Sequence, residues 1–228
     1  SDRTVAKIEN LNAKIKIFVK PGNRSVGRNY GINMARNEII TVTDAGGYPR
    51  KDWIEKITAP FFNPKVKAVS GYYKSLAKTP FEKCVTPYFL IMPDKIWKQD
   101  EFFPSSRSFA LRKTLWKKVG GYPEEFSHNE DLIFDFKIKN SSVSFYFVPQ
   151  AIVYWYPPKT IEESAKKFFR FALGDAESGI KRPTIKFIFL RYIVGFMLLL
   201  LGHWKLWVVH IILYCVWSVH KNFRYAKI

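Results

Sequence analysis

Asp44 closes a β-branched apolar run, Ile39-Ile40-Thr41-Val42-Thr43, and is followed by Ala45-Gly46-Gly47. A carboxylate at the end of a buried strand, beside glycines that let a ligand approach the backbone, is a place where a sheet can meet a sugar nucleotide. An aspartate there can equally cap a turn. Upstream, Gly27-Arg28-Asn29-Tyr30-Gly31 sets a planar cation on a helix, where it can face a diphosphate or a base, or simply stand in solvent. Further on, Glu130-Asp131 precedes Phe134-Asp135. Asp131 and Asp135 lie one helical turn apart, while Glu130 points elsewhere. A carboxylate at such a helix start can take a proton from an attacking hydroxyl; acidic residues also suit helix N-termini for electrostatic reasons alone. Pro104-Ser105-Ser106-Arg107-Ser108 gathers three hydroxyls around a cation, enough to line a polyol or phosphate pocket or to form an ordinary polar strand edge. The four histidines complete no Ser-His-Asp or Cys-His set. Cys84 and Cys215 are too far apart and too few for a disulfide framework or a zinc site, which points to a reducing compartment.

The elements that must position these residues alternate. Helical spacing over 4–11 is followed by a short strand over 15–19, then by a helix that Ser25 can cap, running to Arg36. A strand over 39–43, a helix over 52–61 and a strand over 66–73 come next. Residues 80–101 are aromatic and proline-interrupted, with no clean period. A strand over 106–111 precedes the turn at Gly120-Gly121-Tyr122-Pro123, and Asn129 can cap a helix through Lys139. Strands over 144–148 and 151–155 and an amphipathic helix over 161–176 complete the pattern. Such alternation predicts an α/β fold with a mostly parallel sheet flanked by helices. Ligands of such a sheet bind beyond the carboxyl ends of its strands.

After Lys186 the character changes. Residues 187–201 and 206–219 are strongly apolar, separated by Gly202-His203-Trp204-Lys205. One helix over 187–219 would be roughly 50 Å long against a hydrocarbon core of about 30 Å. It would also put Lys205 deep in lipid at about 2.5–3.5 kcal/mol. Two helices turning at Gly202 avoid both costs, as a pair of spans or as a shallow re-entrant hairpin, and Arg191 can snorkel from the entry. Lys181, Arg182 and Lys186 precede the pair; Lys221, Arg224 and Lys227 follow it. By the positive-inside rule both ends are expected on the cytoplasmic side. The formal net charge of +18 over 228 residues requires nucleic acid, anionic lipid or a phosphorylated substrate as counterpart. The cations are spread along the chain rather than gathered in an arm, which favours a membrane-surface enzyme over a nucleic-acid reader; no nucleic-acid partner is expected.

Taken in order, these motifs resemble the family-2 glycosyltransferases of the GT-A fold over residues 1–178. The resemblance starts at Ser1-Asp2-Arg3-Thr4, which is similar to the end of the family's nucleotide-binding stretch. It runs through Gly27-Arg28-Asn29 and the strand ending at Asp44. Gly120-Gly121-Tyr122-Pro123 with Glu130-Asp131 is its most specific part, and Phe147-Val148-Pro149 with Ala151 and Val153 follows. It implies a GT-A-like (Rossmann-like) domain over 1–180, lacking its first βαβ portion, and a membrane-associated helical hairpin over 181–228. The chain is accordingly expected to lack the N-terminal part of a longer one.

The resemblance further implies sugar transfer from a nucleotide-diphosphate donor to an acceptor hydroxyl with inversion, in cell-surface glycan or glycolipid synthesis. Asp131 with Glu130 is the catalytic pair, Asp131 being the general base. Asp2, Arg28, Asp44, Ala45 and Gly46 form the donor site. Ser106, Arg107 and Arg170 form an acceptor or phosphate pocket. The implied partners are a nucleotide-sugar donor, a glycan or lipid-linked acceptor and a membrane, with the catalytic domain on the cytoplasmic face. Two departures bear on the expected divalent cation, Mg or Mn. Gly46 replaces the second aspartate of the metal motif, and Trp155 stands where a histidine is common. Asp44 alone makes a poor metal site. Either the diphosphate supplies most of the coordination, or cations such as Arg28 and Arg107 replace the ion. The alternative in a different class is a catalytically inactive, membrane-anchored sugar-nucleotide-binding protein.

Overall fold

The structure, a computed structural model, describes residues 6, 8, 15–92, 102–180 and 185–226. Most of the expected helix over 4–11, Asp2 and all of 93–101 lie outside the described residues. Helix α1 (Arg24–Met34) is capped by Asn23 rather than Ser25. The Asn23 carbonyl oxygen accepts from the Val26 amide at 3.1 Å, while its amide nitrogen donates to the Glu124 and Phe126 carbonyls. One side chain thus caps the helix and ties it to a loop a hundred residues away. Ser25 is fully buried instead. Residues 15–20 form no strand, since no described strand lies beside them to complete their hydrogen-bond ladder.

Strands β1 (Ile39–Val42), β2 (Gly47–Pro49), β3 (Ala68–Ser75), β4 (Phe109–Arg112) and β5 (Phe145–Trp155) form one sheet in the order β1-β4-β3-β5-β2. Only β3 and β5 pair in parallel; the other three pairings are antiparallel. The expected mostly parallel sheet is therefore corrected to a mixed one. Strands β1, β3 and β5, each of which the helix–strand alternation had marked, do run in the same direction. Strand β4 lies antiparallel between β1 and β3. The two strands expected over 144–148 and 151–155 are one, with a register shift opposite Ser70 and Tyr72. At that irregularity Gly71 has no room for a Cβ, which would strike Ser108 Oγ and the Ala151 carbonyl.

Period-2 alternation divides the core between the two faces. Ala68, Phe109, Leu111 and Phe145 pack under α1, α4 (Lys113–Lys118) and α5 (Glu130–Asn140), together with Ile32, Leu115, Phe134 and Ile138. Val69, Ala110, Ala151 and Val153 pack on the other face against Trp53 and Ile57 of α2 (Trp53–Thr58) and Phe61 beyond it. Helix α4 was not expected from the sequence. Its six residues follow β4 directly, too short a run to show a period.

Helix α3 (Pro80–Phe89) gives order to part of the aperiodic stretch through a Thr79–Glu82 capping box. Helix α6 (Ile161–Ser178) packs over it, with the Phe89 and Phe168 rings stacked at 4.6 Å. Helices α7 (Ile185–Leu200) and α8 (Trp204–Ala226) form the expected pair, turning at Gly202, whose φ of +73° suits glycine. No helix among the described residues is long and apolar enough to cross a membrane, so the expected transmembrane helices are not found. The apolar runs are interrupted: α7 is 16 residues long, and α8 carries Lys205 and His210. Arg191 does not snorkel outward; its guanidinium lies 4.1 Å from the Tyr214 ring, between the two helices. Helix α8 leans on α3, where Tyr88 Oη meets Ser218 Oγ at 2.8 Å and accepts from Asn222 Nδ2 at 2.8 Å.

Candidate active site

Because β1, β3 and β5 share a direction, their carboxyl ends bring Asp44, Tyr73 and Trp155 to one edge of the sheet. The antiparallel β4 delivers what precedes it, Ser106 and Arg107, to the same edge. Helix α5 points its N-terminus there, with Glu130 and Asp131 in its first turn. Asn129 precedes that helix in a left-handed conformation (φ 57°), but its side chain does not cap it as expected; Nδ2 donates to Asp175 on α6 at 2.7 Å. Gly174 of α6 lies so close to His128 and Asn129 that a Cβ would collide with both. Helix α6 thereby clamps the start of α5, and so fixes where Asp131 sits.

Arg28 joins the site. Its Nη2 donates to Asp44 Oδ1 at 2.7 Å and its Nη1 to Glu130 Oε1 at 2.8 Å, and the guanidinium lies 5.3 Å from the Tyr122 ring. Asn29, next in sequence, faces the other way. Its Oδ1 accepts from the Tyr122 amide at 2.8 Å and the Trp116 indole at 3.1 Å, and its Nδ2 donates to the Tyr122 carbonyl at 2.8 Å. That holds the Gly120-Gly121-Tyr122 turn, whose glycines take φ of +76° and +68°. Two adjacent residues thus couple the turn to the carboxylates. Gly46 occupies the turn after Asp44 at φ +83°, closed by the Gly47 amide on the Asp44 carbonyl at 3.1 Å. Glycine adopts this conformation without steric cost.

The charges are unequal in their surroundings. Burial pulls the Arg28 guanidinium down, but Asp44, Tyr122 and Glu130 outweigh it and leave it held charged above its ordinary range. Burial raises the Asp131 carboxyl, and Glu130 raises it further; the Leu132 amide, 2.9 Å from Oδ1, and Arg28 partly offset this. The charge of Asp44 also raises Asp131, so the two carboxylates share one electrostatic environment. Asp135, 3% exposed, is pushed well above the carboxylate range by burial and then by Asp131. A carboxyl raised on folding contributes stability fully below its unfolded pKa and loses it as pH rises through its folded one. Asp135→Asn is therefore expected to gain stability relative to the wild type between pH 5 and pH 8. Urea unfolding at the two pH values measures it; an equal difference at both would contradict the assignment.

Arg28, Asp44, Glu130, Asp131, Ser106 and Arg107 are thus brought together, while Ala45 and Gly46 lie exposed on the rim. Ser106 is buried, 3.3 Å from Tyr122 Oη. Arg170 is exposed on α6 and reaches the site only through its charge, felt at Lys167. Lys167 itself went unnoticed in the sequence. It stands 3.9 Å from the Trp155 ring, which also carries Arg107 at 4.7 Å. Its signal was helical spacing, since Ser164 and Gly174, the buried residues of α6, are three before and seven after it.

A mixed α/β sheet with carboxylates and guanidinium groups at its strand ends is the arrangement of GT-A glycosyltransferases, and solved structures of that class are similar. The mannosyltransferase PcManGT from Pyrobaculum calidifontis, in complex with GDP-Man and Mn2+, superposes with a TM-score of 0.54 at 16% identity, covering 80% of this chain and 53% of that one. S. aureus TarS 1-349 with UDP-GlcNAc gives 0.52 at 16% identity, covering 78% and 54%. The sequence profile of glycosyl transferase family 2 matches residues 1–120. The chain belongs to that family. The succinoglycan biosynthesis protein ExoA of Rhizobium meliloti (strain 1021) is 28% identical over 75 residues, 33% of this chain and 23% of its own. The chain thus spans about half the length of these solved relatives and less than a quarter of the curated one.

The residues at the family's metal position do not fit a divalent cation. Asp44 presents one oxygen to Arg28 at 2.7 Å and the other to Arg107 at 4.0 Å. Gly46 has no side chain, and the Trp155 indole has no lone pair to offer. Among the described residues no three His, Cys, Asp or Glu side chains gather as a metal site.

Proposed function

We propose that the protein transfers a glycosyl group, with inversion, from a nucleoside-diphosphate sugar to an acceptor hydroxyl. The observation that carries this is the gathering of Asp131, Arg28, Asp44 and Arg107 at the carboxyl ends of the strands. The acceptor oxygen attacks the anomeric carbon as the bond to the β-phosphate oxygen breaks. The electron pair leaves with the diphosphate, and the hydroxyl proton passes to Asp131, whose raised basicity suits it to receive one. Glu130, turned to Arg28 and to Arg24 at 3.4 Å, positions the cation and does not receive the proton. A diphosphate needs no acid to protonate it once its charge is held.

The donors in the TarS and PcManGT complexes support a nucleotide-sugar donor, and ExoA's role in succinoglycan biosynthesis supports a place in cell-surface glycan assembly. On this reading residues 1–180 are the catalytic body and 181–228 a hairpin lying against the cytoplasmic membrane surface. Exposed Phe187, Leu190, Ile193, Leu213 and Trp217 supply its apolar face.

The test incubates the intact protein with UDP-GlcNAc and with GDP-Man, and follows release of the nucleoside diphosphate with and without saccharide acceptors. Acceptor-stimulated release of UDP or GDP is expected. Tight donor binding with no release under any condition would instead support the inactive binding protein.

A further inference from the structure

Beside the carboxylates lies a second constellation, two cations that the described carboxylates engage only loosely. Arg107, its side chain 17% exposed, sits 4.7 Å from the Trp155 ring and 5.2 Å from the Tyr73 ring. The Lys167 ammonium is 3.9 Å from the same indole and 5.6 Å from the Phe89 ring. Two like charges are thus held on one aromatic platform at the strand ends. Burial and then Arg107 draw the Lys167 pKa down to about 8, Glu163 opposing them and Arg170 adding to them. Among the described residues Arg107 pairs with Asp44 Oδ2, a loose 4.0 Å away, and that carboxylate is already taken up by Arg28. Aromatic rings fix where the cations stand but do not neutralise them. A bound dianion would.

We propose that Arg107 and Lys167, ordered on Trp155, take the place of a divalent cation in holding the donor's diphosphate, so that sugar transfer by this protein is independent of metal. This rests on the transferase reading given above. As the bond between the anomeric carbon and the β-phosphate oxygen breaks, that oxygen keeps the electron pair, and the two cations hold the charge it gains. Arg107, with a planar fork, suits two phosphate oxygens at once, whereas Lys167 acts as a point charge.

Two arms test it on the intact protein. In the first, acceptor-dependent UDP or GDP release from UDP-GlcNAc or GDP-Man is measured with excess EDTA and with added Mn2+. Calorimetry of UDP and GDP under both conditions runs alongside. Rates and affinities within about twofold of each other are expected. Transfer abolished by EDTA and restored by Mn2+ overturns the proposal while leaving the transferase reading standing; no binding and no transfer under either condition overturns both.

In the second arm, Arg107→Met and Lys167→Met are each expected to weaken UDP binding roughly ten- to a hundredfold, the range of a charge-assisted contact. Lys167→Arg should recover most of the loss. Unchanged affinity in both Met variants overturns the assignment. The first arm uses no variant, so misfolding of either substitution leaves the proposal exposed to it.

Discussion

Asp131→Asn is expected to lower turnover by about 10²–10⁴-fold, the range of a positioned general base, while UDP affinity and melting temperature stay close to those of the wild type. The amide keeps the volume of the carboxylate and keeps an oxygen for the Leu132 amide now 2.9 Å away, so the first turn of α5 is undisturbed. What it loses is the ability to take a proton. Burial and Glu130 raise Asp131, so the wild-type rate should fall on acidification in a limb lying above the ordinary carboxylate range. The residual rate of the variant should lack that limb. Asp131→Glu, which keeps the chemistry but displaces it, should lie between the two. Steady-state turnover against pH, with nucleotide affinity measured in parallel, separates loss of the base from loss of the site. Normal turnover by Asp131→Asn would remove the base assignment.

The site residues that the sequence revealed are those whose neighbours in the chain are informative. Asp44 ends an apolar run before glycines, and Glu130-Asp131 opens a helix after a paired-glycine turn. Their convergence follows from three strands that the alternation of elements identified. Two things escaped. The direction of β4 depends on an aperiodic aromatic stretch, and hydropathy carries no record of which way a chain returns after one. Lys167 belongs to the inward face of α6, but a lysine beside Lys166 reads as a solvated face until Trp155 is found beneath it. Ser25 is an eligible cap by local propensity, but Asn23 takes the position and also reaches Glu124 and Phe126, contacts that local propensity cannot anticipate. The mixed sheet and the cation pair are consequences of long-range packing, whereas strand ends and helix starts are local.

The second large effect concerns stability. Arg28→Met is expected to destabilise the protein by about 3 kcal/mol, the lower end of the range for leaving one member of a buried ion pair alone. Two carboxylates lose their partner, but not equally. Asp44, 32% exposed, can rehydrate and contributes little; Glu130, 3% exposed, cannot. Arg24 Nε, 3.4 Å from Glu130 but on a side chain 60% exposed, offsets part of the loss, which is why the upper end of the range is not expected. The cation's contact with Tyr122 goes too, a smaller effect. At roughly 2–4 °C per kcal/mol for a domain of this size, the melting temperature should fall by roughly 10 °C. Adding Glu130→Gln to Arg28→Met should restore part of it, because the stranded buried charge is then gone. Arg28→Lys should fall between, since an ammonium can satisfy one carboxylate but cannot span both in the manner of a guanidinium fork. If Arg28→Met melts within 2 °C of the wild type, or if Glu130→Gln deepens the loss instead of relieving it, Arg28 is not the residue that joins the donor-side carboxylate to the start of the catalytic helix.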